Sequence, residues 1–361
     1  MSIRRPATHA KRASGGSHHR QSGISLIELM VGLVIGMLAV LVIYQTFAVA
    51  EGVKRQTISA GDAQQTGMLA TYLLGVEFAN AGNGISTNIG DLVSCPDTKD
   101  IKTTLRPIAL VVTKGADDDT PDSFVVNYGT PKALVTPALF VASAAAGDVS
   151  YKVQSPTGFQ KGDMAIAVSG TGSCERVTIK DVSDPDGAGV ITATLAAASA
   201  NGYPPSARLI NIGPASSVQR VQYDVVNGVL RSTDLVVDGA TAAPIASSIV
   251  NLKLQYGVDT NDNGTVDTWA AAEGDYAPEK LLAADAVAIR RIKAVRVGVI
   301  VRSDEYDRDA ATFGWTLFQC TTEEKKLYTC PDALTGTLPA NYRYRVYETI
   351  VPLRNAMWNQ S

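Results

Sequence analysis

The fold follows from one stretch near the start of the chain, Ser22-Gly23-Ile24-Ser25-Leu26-Ile27-Glu28-Leu29-Met30-Val31, where a polar, basic lead-in becomes a long apolar run. Glu28 is the one formally charged residue between Ile24 and Ala50. As a helix rising about 1.5 Å per residue, that run would reach roughly 40 Å, enough to cross a bilayer. We therefore predict a membrane-spanning helix over residues 24–50.

The residues before this run predict its orientation. They carry cations and no acid, and an excess of Lys and Arg keeps a flank in the cytoplasm. The N-terminus is therefore expected in the cytoplasm and everything after about residue 50 outside it. The cations are Arg4, Arg5, Lys11, Arg12 and Arg20.

Composition excludes several classes of function. All three histidines (His9, His18 and His19) precede residue 24, so a chain cut there would have no Ser-His-Asp triad, no Cys-His pair and no His-ligated zinc. We therefore expect no enzyme. Loss of the five leader cations would change the formal charge from −3 to −8, which argues against nucleic acid as a partner.

The junction resembles that of type IV prepilins: a basic leader ending in Gly, an apolar residue, and Glu four positions later. The resemblance implies that a prepilin peptidase removes residues 1–23 by cutting between Gly23 and Ile24 and methylates the new N-terminus. It also implies storage in the inner membrane, with the head in the periplasm, followed by assembly into a pilus (fimbrium) at the cell surface.

Glu28 then has a physical role. An ionised group at membrane depth costs about 2.5–3.5 kcal/mol even on insertion scales. When one subunit docks beside another, the free amine of the incoming Ile24 can pair with a Glu28 already in the bundle. The alternative is an ordinary single-pass anchor whose Glu28 reaches the interface.

Four cysteines fall in the predicted extracytoplasmic part, where an even count favours disulfides. Cys320 and Cys330 would close a short loop, and Cys95 with Cys174 is the remaining pairing. Sequence alone does not fix this connectivity. None of these pairs has the C-x-x-C spacing of a redox or thiolate metal site.

The rest of the chain predicts an α+β fold, in which a long helix packs on an antiparallel sheet with an inserted β-rich region. The helix continues over residues 51–81, where Met68, Leu69, Tyr72, Leu73 and Val76 form an apolar stripe that we expect to lie in the core. Residues 82–205 are expected to be a β-rich variable region, and residues 206–361 a pilin-like sheet domain.

Strands are predicted wherever short β-like runs occur, and Asn227-Gly228 predicts a tight hairpin. The Ala-rich piece 193–200 is compatible with a short helix or a loop. The predicted strands are 108–113, 123–128, 164–168, 176–179, 218–226, 229–233, 249–258, 294–302 and 342–351.

Several of these segments resemble the PilW-like minor pilins of type IV pilus assembly. The resemblance rests on Arg208 to Pro214, Tyr256 to Asp259, Val295 to Val299 and Tyr344 to Asn355. It implies a non-enzymatic protein whose partners are other minor pilins and the major pilin.

A calcium loop is predicted after Val258. Oxygen-bearing side chains alternate along it, Gly264 stands where such loops turn sharply, and Thr265 offers a backbone carbonyl. Ala270 occupies the position of the usual bidentate Glu, so Glu273 or Asp275 would complete the set. The alternative is a polar turn without metal. The predicted ligands are Asp259, Asn261, Asn263, Thr265 and Asp267.

The leading hypothesis is a minor pilin that takes part in initiating a type IV pilus by helix docking through Glu28. Two alternatives share the same anchor. One is a minor pseudopilin of a type II secretion system, and the other is an adhesin at the pilus tip.

Overall fold

The computed structural model describes residues 23–84, 108–129, 137–154, 158–170, 173–214, 216, 218–237, 239–282, 286–308 and 310–357. The chain forms two compact units, residues 1–55 and 56–361.

Helix α1 (Leu26–Asn80) begins at the predicted anchor. In the first unit its apolar side chains are exposed all round, for example Leu33 and Leu41, and a helix of this kind belongs in lipid or against other helices. Thr46 donates its hydroxyl hydrogen to the carbonyl oxygens of Val42 or Ile43, at 3.1 and 2.8 Å. That polar group is therefore satisfied within the helix.

The second unit, the head, consists mainly of strands. They are β1 (Leu110–Thr113), β2 (Ser123–Tyr128), β3 (Ala138–Phe140), β4 (Ser150–Gln154), β5 (Asp163–Val168), β6 (Cys174–Val182), β7 (Val190–Leu195), β8 (Arg208–Pro214), β9 (Gln219–Val226), β10 (Val229–Asp234), β11 (Ala243–Ala246), β12 (Ile249–Val258), β13 (Thr268–Ala270), β14 (Ile292–Arg302), β15 (Phe313–Leu317), β16 (Leu334–Leu338) and β17 (Tyr344–Pro352). Short helices are α2 (Pro278–Leu282), α3 (Ala286–Arg291), α4 (Glu324–Leu327) and α5 (Arg354–Met357), with a 3-10 turn at Gly274–Tyr276.

The strands form antiparallel sheets, so the predicted α+β class is confirmed. A five-stranded sheet has the order β1-β2-β9-β10-β11, and a four-stranded sheet has the order β13-β12-β14-β17. Strands β15 and β16 form a two-stranded sheet. The two larger sheets share one core with the head half of α1.

The inserted β-rich region contains a closed barrel of order β3-β4-β7-β6-β5-β8. The predicted boundary after residue 205 does not coincide with it, because the closing strand β8 pairs with β3 and β5. Leu209 and Ile210, which point to opposite faces of β8, are both fully buried, so this strand needs apolar cover on both sides. Part of the Ala-rich piece 193–200 belongs to β7.

The predicted hairpin is confirmed. Val226 pairs with Val229 across the turn, and Asn227 and Gly228 have φ of 51° and 76°. Such positive values are what a type I′ turn requires at both central residues. The other predicted strands are present, with ends shifted by up to three residues.

The prediction that the apolar stripe of α1 lies in the core is wrong. Met68, Leu69, Tyr72 and Val76 are 40–68% exposed, and a different face is buried: Ser59, Ala63, Gly67, Ala70, Leu74 and Phe78. Most of these buried residues are small, which lets the helix axis lie close to the sheet. Where the helix approaches this closely, the larger apolar side chains do not fit.

Gly67 marks a close approach of α1 to the sheet. A Cβ added there would lie 2.1 Å from Cε2 of Tyr347 on β17, whereas one added at Gly61 meets no atom of the described residues within 4 Å. Replacing Gly by Ala in a helix normally stabilises it by about 1 kcal/mol.

We therefore expect two matched variants to change the stability of the head in opposite directions. Gly61→Ala should raise the free energy of unfolding of the head by up to about 1 kcal/mol, and Gly67→Ala should lower it by about 1–3 kcal/mol through overpacking. Urea unfolding followed by tryptophan fluorescence measures both. Equal gains in stability would contradict the close packing of α1 against Tyr347.

Candidate functional site: the processing junction and the head surface

The predicted cleavage junction is open in the isolated chain. Gly23 to Ser25 precede the helix, Ile24 is 72% exposed, and no heavy atom of the described residues lies within 4 Å of a Cβ built at Gly23. The carbonyl of Ser25 accepts the backbone N–H groups of Glu28 and Leu29 at 3.0 and 3.2 Å, which starts the helix.

Glu28 lies in the first turn of α1 and is exposed. An acid in a first turn is favoured by the helix dipole. Within the described residues Glu28 forms no ion pair. Thr46 is satisfied inside its own helix, whereas the described residues offer the Glu28 carboxylate no cation.

Among the described residues, α1 is the one helix long and apolar enough to cross a membrane, and no residue of its most apolar stretch is buried. A signal sequence passes the same test of length and composition. Hydropathy alone therefore does not distinguish a membrane anchor from a signal sequence, and the residues at the junction are the more specific indication.

The predicted calcium loop folds as a hydrogen-bonded turn. The carboxylate of Asp259, which is fully buried, accepts the backbone N–H groups of Asn263 and Gly264 at 3.0 and 2.7 Å. Thr265 donates to Oδ1 of Asn263, and Thr260 donates to the carboxylate of Asp267. All of the predicted side-chain ligands therefore lie in one loop and already accept protein hydrogen bonds.

Two other acids near this loop, Asp262 and Glu273, pair with cations. Asp262 lies 3.5 and 3.4 Å from the guanidinium groups of Arg290 and Arg291, whose presence lowers the pKa of Asp262. Glu273, a predicted additional ligand, pairs with Lys114 instead. No group of three or more His, Cys, Asp or Glu in the described part of the chain is placed to hold a metal.

The predicted disulfide between Cys320 and Cys330 is present, with Cα atoms 6.3 Å apart. Cys174 is also disulfide-bonded, and Cys95 lies outside the described residues. The Sγ of Cys320 lies 3.7 Å from the guanidinium of Arg296, which in turn stacks between Trp269 and Phe318 at 4.9 and 4.7 Å. Burial lowers the pKa of Arg296 to about 10.

A buried ion pair was missed by reasoning from the sequence. Lys253 on β12 lies 3.3 Å from Asp122, and both side chains are at most 3% exposed. Its ammonium group also donates to the carbonyls of Asp117 and Thr120 at 2.7 and 2.6 Å, which ties an acidic loop to the sheet. A lone Lys in the middle of an apolar strand was the available signal.

Residues 18–44 match the prokaryotic N-terminal methylation motif, and residues 218–355 match the family PilW, described as type IV pilus-assembly protein W. These two matches support a resemblance to the PilW-like minor pilins of the type IV pilus. The PilW match runs from the start of the β9–β10 hairpin region into α5, so the barrel and Arg208 to Pro214 lie outside it. Proteins of this family are structural components of pilus assembly.

A type IV-like pilin from Thermus thermophilus is similar in structure, with a TM-score of 0.34 and 10% sequence identity over 81% of this chain and 96% of that chain. No curated protein matches the sequence.

Proposed function

We propose that this PilW-like chain is a minor pilin that enters a type IV pilus by helix docking through Glu28. The observation that carries the proposal is an exposed carboxylate, unpaired within the described residues, in the first turn of an apolar helix directly after a Gly boundary. A carboxylate in this setting gains most from a cation brought by another subunit, and the amine of a cleaved Ile24 is such a cation.

The proposal implies an order of events. The precursor sits in the inner membrane with its N-terminus in the cytoplasm, as the basic flank indicates. Prepilin peptidase then cuts after Gly23, and the head remains in the periplasm until the helix docks against other minor pilins or the major pilin.

The mature N-terminus tests this order. Mass spectrometry of the chain purified from the cell envelope is expected to show a species that begins at N-methylated Ile24. A chain that retains residues 1–23 in a piliated strain would contradict the proposal, and a Gly23→Ala variant serves as the unprocessed control.

Deletion of the chain separates this role from the two alternatives. An assembly role predicts loss of pili. An adhesin predicts normal pili that no longer attach, and a pseudopilin predicts normal pili with a defect in secretion.

We also propose that the loop from Asp259 to Asp267 binds calcium. Two carboxylates, two amide oxygens and a carbonyl in alternating positions are the donor set that this cation prefers. Isothermal titration of the head with calcium chloride should release heat, and Asp259→Ala should abolish it while Asp262→Ala should not. Absence of heat with the unaltered head would leave the loop as a polar turn.

A further inference from the structure

A long groove separates the head half of α1 from strand β17. It has a volume of about 470 Å³, and its lining is mostly apolar. Met68, Tyr72, Gly75 and Val76 supply one wall, and Tyr347 and Val351 supply the other. The exposed stripe of α1 therefore forms one side of this groove.

Strand β17 is also an open edge of the four-stranded sheet. The N–H of Ser303 donates to the carbonyl of Arg343, and the N–H of Leu353 donates to the carbonyl of Lys293. These two bonds show which residues of β17 direct their backbone groups towards β14. Since antiparallel hydrogen bonding alternates, Val346, Glu348 and Ile350 point their backbone groups away from β14. No described strand pairs with them.

The other edges of the two large sheets are blunted. On β1 the N–H of Val112 donates to the hydroxyl of Tyr256 at 2.6 Å. Strand β11 is only four residues long and contains Pro244, and β13 is bridged by Thr329. Short strands, Pro and covering loops are the usual protections of an edge. Within the described residues, β17 is the long edge strand of these sheets that lacks such protection along most of its length.

We infer that the groove receives an extended segment from the head of another pilin-class subunit, which adds to the sheet beside β17. A row of unpaired N–H and C=O groups is complemented by a strand, and alternate side chains of that strand would enter the groove. The inference rests on the proposed function for the class of the partner.

The charges near β17 specify the segment further. Arg345 near the start of β17 and Arg354 just after it are exposed, and neither pairs with a carboxylate in the described part of the chain. A matching strand has apolar residues at alternate positions over about five residues and acids towards its ends.

A photoreactive residue tests the inference in the full-length chain in its own cells. p-Benzoylphenylalanine replaces Val76 in the groove or, as a separate probe, Leu33 in the anchor. After irradiation, mass spectrometry maps the crosslinked peptides. The Val76 probe is expected to label an extended head segment of another pilin-class chain.

Two variants with matched controls make the test specific. A Cβ at Gly75 would lie 4.0 Å from Cγ2 of Val351, so Gly75→Leu adds a side chain at the groove from a Cβ position that is free of clashes. Gly61→Leu adds the same side chain where no described atom lies within 4 Å of the Cβ. Ile350→Pro removes an outward N–H while sparing the β14 ladder, and Ile350→Thr keeps that N–H. Gly75→Leu and Ile350→Pro should each reduce the Val76 crosslink at least about tenfold, and the controls should leave it unchanged.

The outcomes are distinguishable. Crosslinks from Val76 to a second copy of this chain, to a helical segment or to no protein would overturn the inference, as would full crosslinking in Gly75→Leu. If the Leu33 probe still labels a pilin-class chain in that case, the proposed function stands and only the groove fails. If neither probe labels a pilin-class chain, both the groove inference and the proposed function are contradicted.

Discussion

Replacing Glu28 with Ala is expected to leave the protein in the membrane but reduce its amount in sheared pili by about a hundredfold. An unpaired amine in apolar surroundings costs roughly 2.5–3.5 kcal/mol, and each 1.4 kcal/mol or so is a factor of ten. The loss should appear as a change in the ratio of pilus to membrane protein, measured by immunoblot, because the anchor itself becomes more apolar.

Two further variants separate charge from shape. Glu28→Gln keeps the size of the side chain and removes its charge. Its amount in sheared pili should therefore fall almost as far as that of Glu28→Ala. Glu28→Asp keeps the charge and should retain part of the assembly. Normal incorporation of Glu28→Gln would show that pairing with an amine does not drive docking.

Replacing Lys253 with Met is expected to give the largest loss of stability in the head. The Asp122 carboxylate would remain buried with the N–H groups of Gly115 and Leu254 but without its cation. Breaking one side of a buried pair costs about 3–5 kcal/mol. Lys114→Met removes the cation of a half-exposed pair and should cost less than about 1 kcal/mol.

The loss in Lys253→Met should depend on pH. Burial already raises the pKa of Asp122, and removal of Lys253, which opposes that shift, would raise it further. An acid whose pKa is higher in the folded state than in the unfolded state binds its proton on folding, so the penalty shrinks as pH falls through the folded-state pKa. Urea unfolding at several pH values measures this trend, and a penalty that grows at lower pH would refute it.

The local elements of this fold could be predicted from the sequence because each has a local cause. Asn227-Gly228 sets its own turn, β12 is a continuous apolar run, and the absence of proline allows α1 to continue. The junction at Gly23 and Glu28 was equally visible, because a charge inside an apolar run stands out.

Features that depend on tertiary packing could not be predicted in the same way. The buried face of α1 is built from small residues such as Gly67 and Ala70, and a rule that looks for large apolar side chains selects the opposite face. The barrel requires strands distant in sequence to close on one another. The partner of Lys253 lies 131 residues away, so only the unusual position of the Lys was readable.

The chain leaves the five-stranded sheet for the barrel and returns to it at neighbouring points. Tyr128, the last residue of β2, lies opposite Gln219, the first residue of β9, and the barrel has its own apolar core. Because the β2–β9 ladder closes without it, the intervening segment could be shortened, exchanged or enlarged while the sheet that covers α1 keeps its register. The same anchor and scaffold can thus display different modules over the course of evolution.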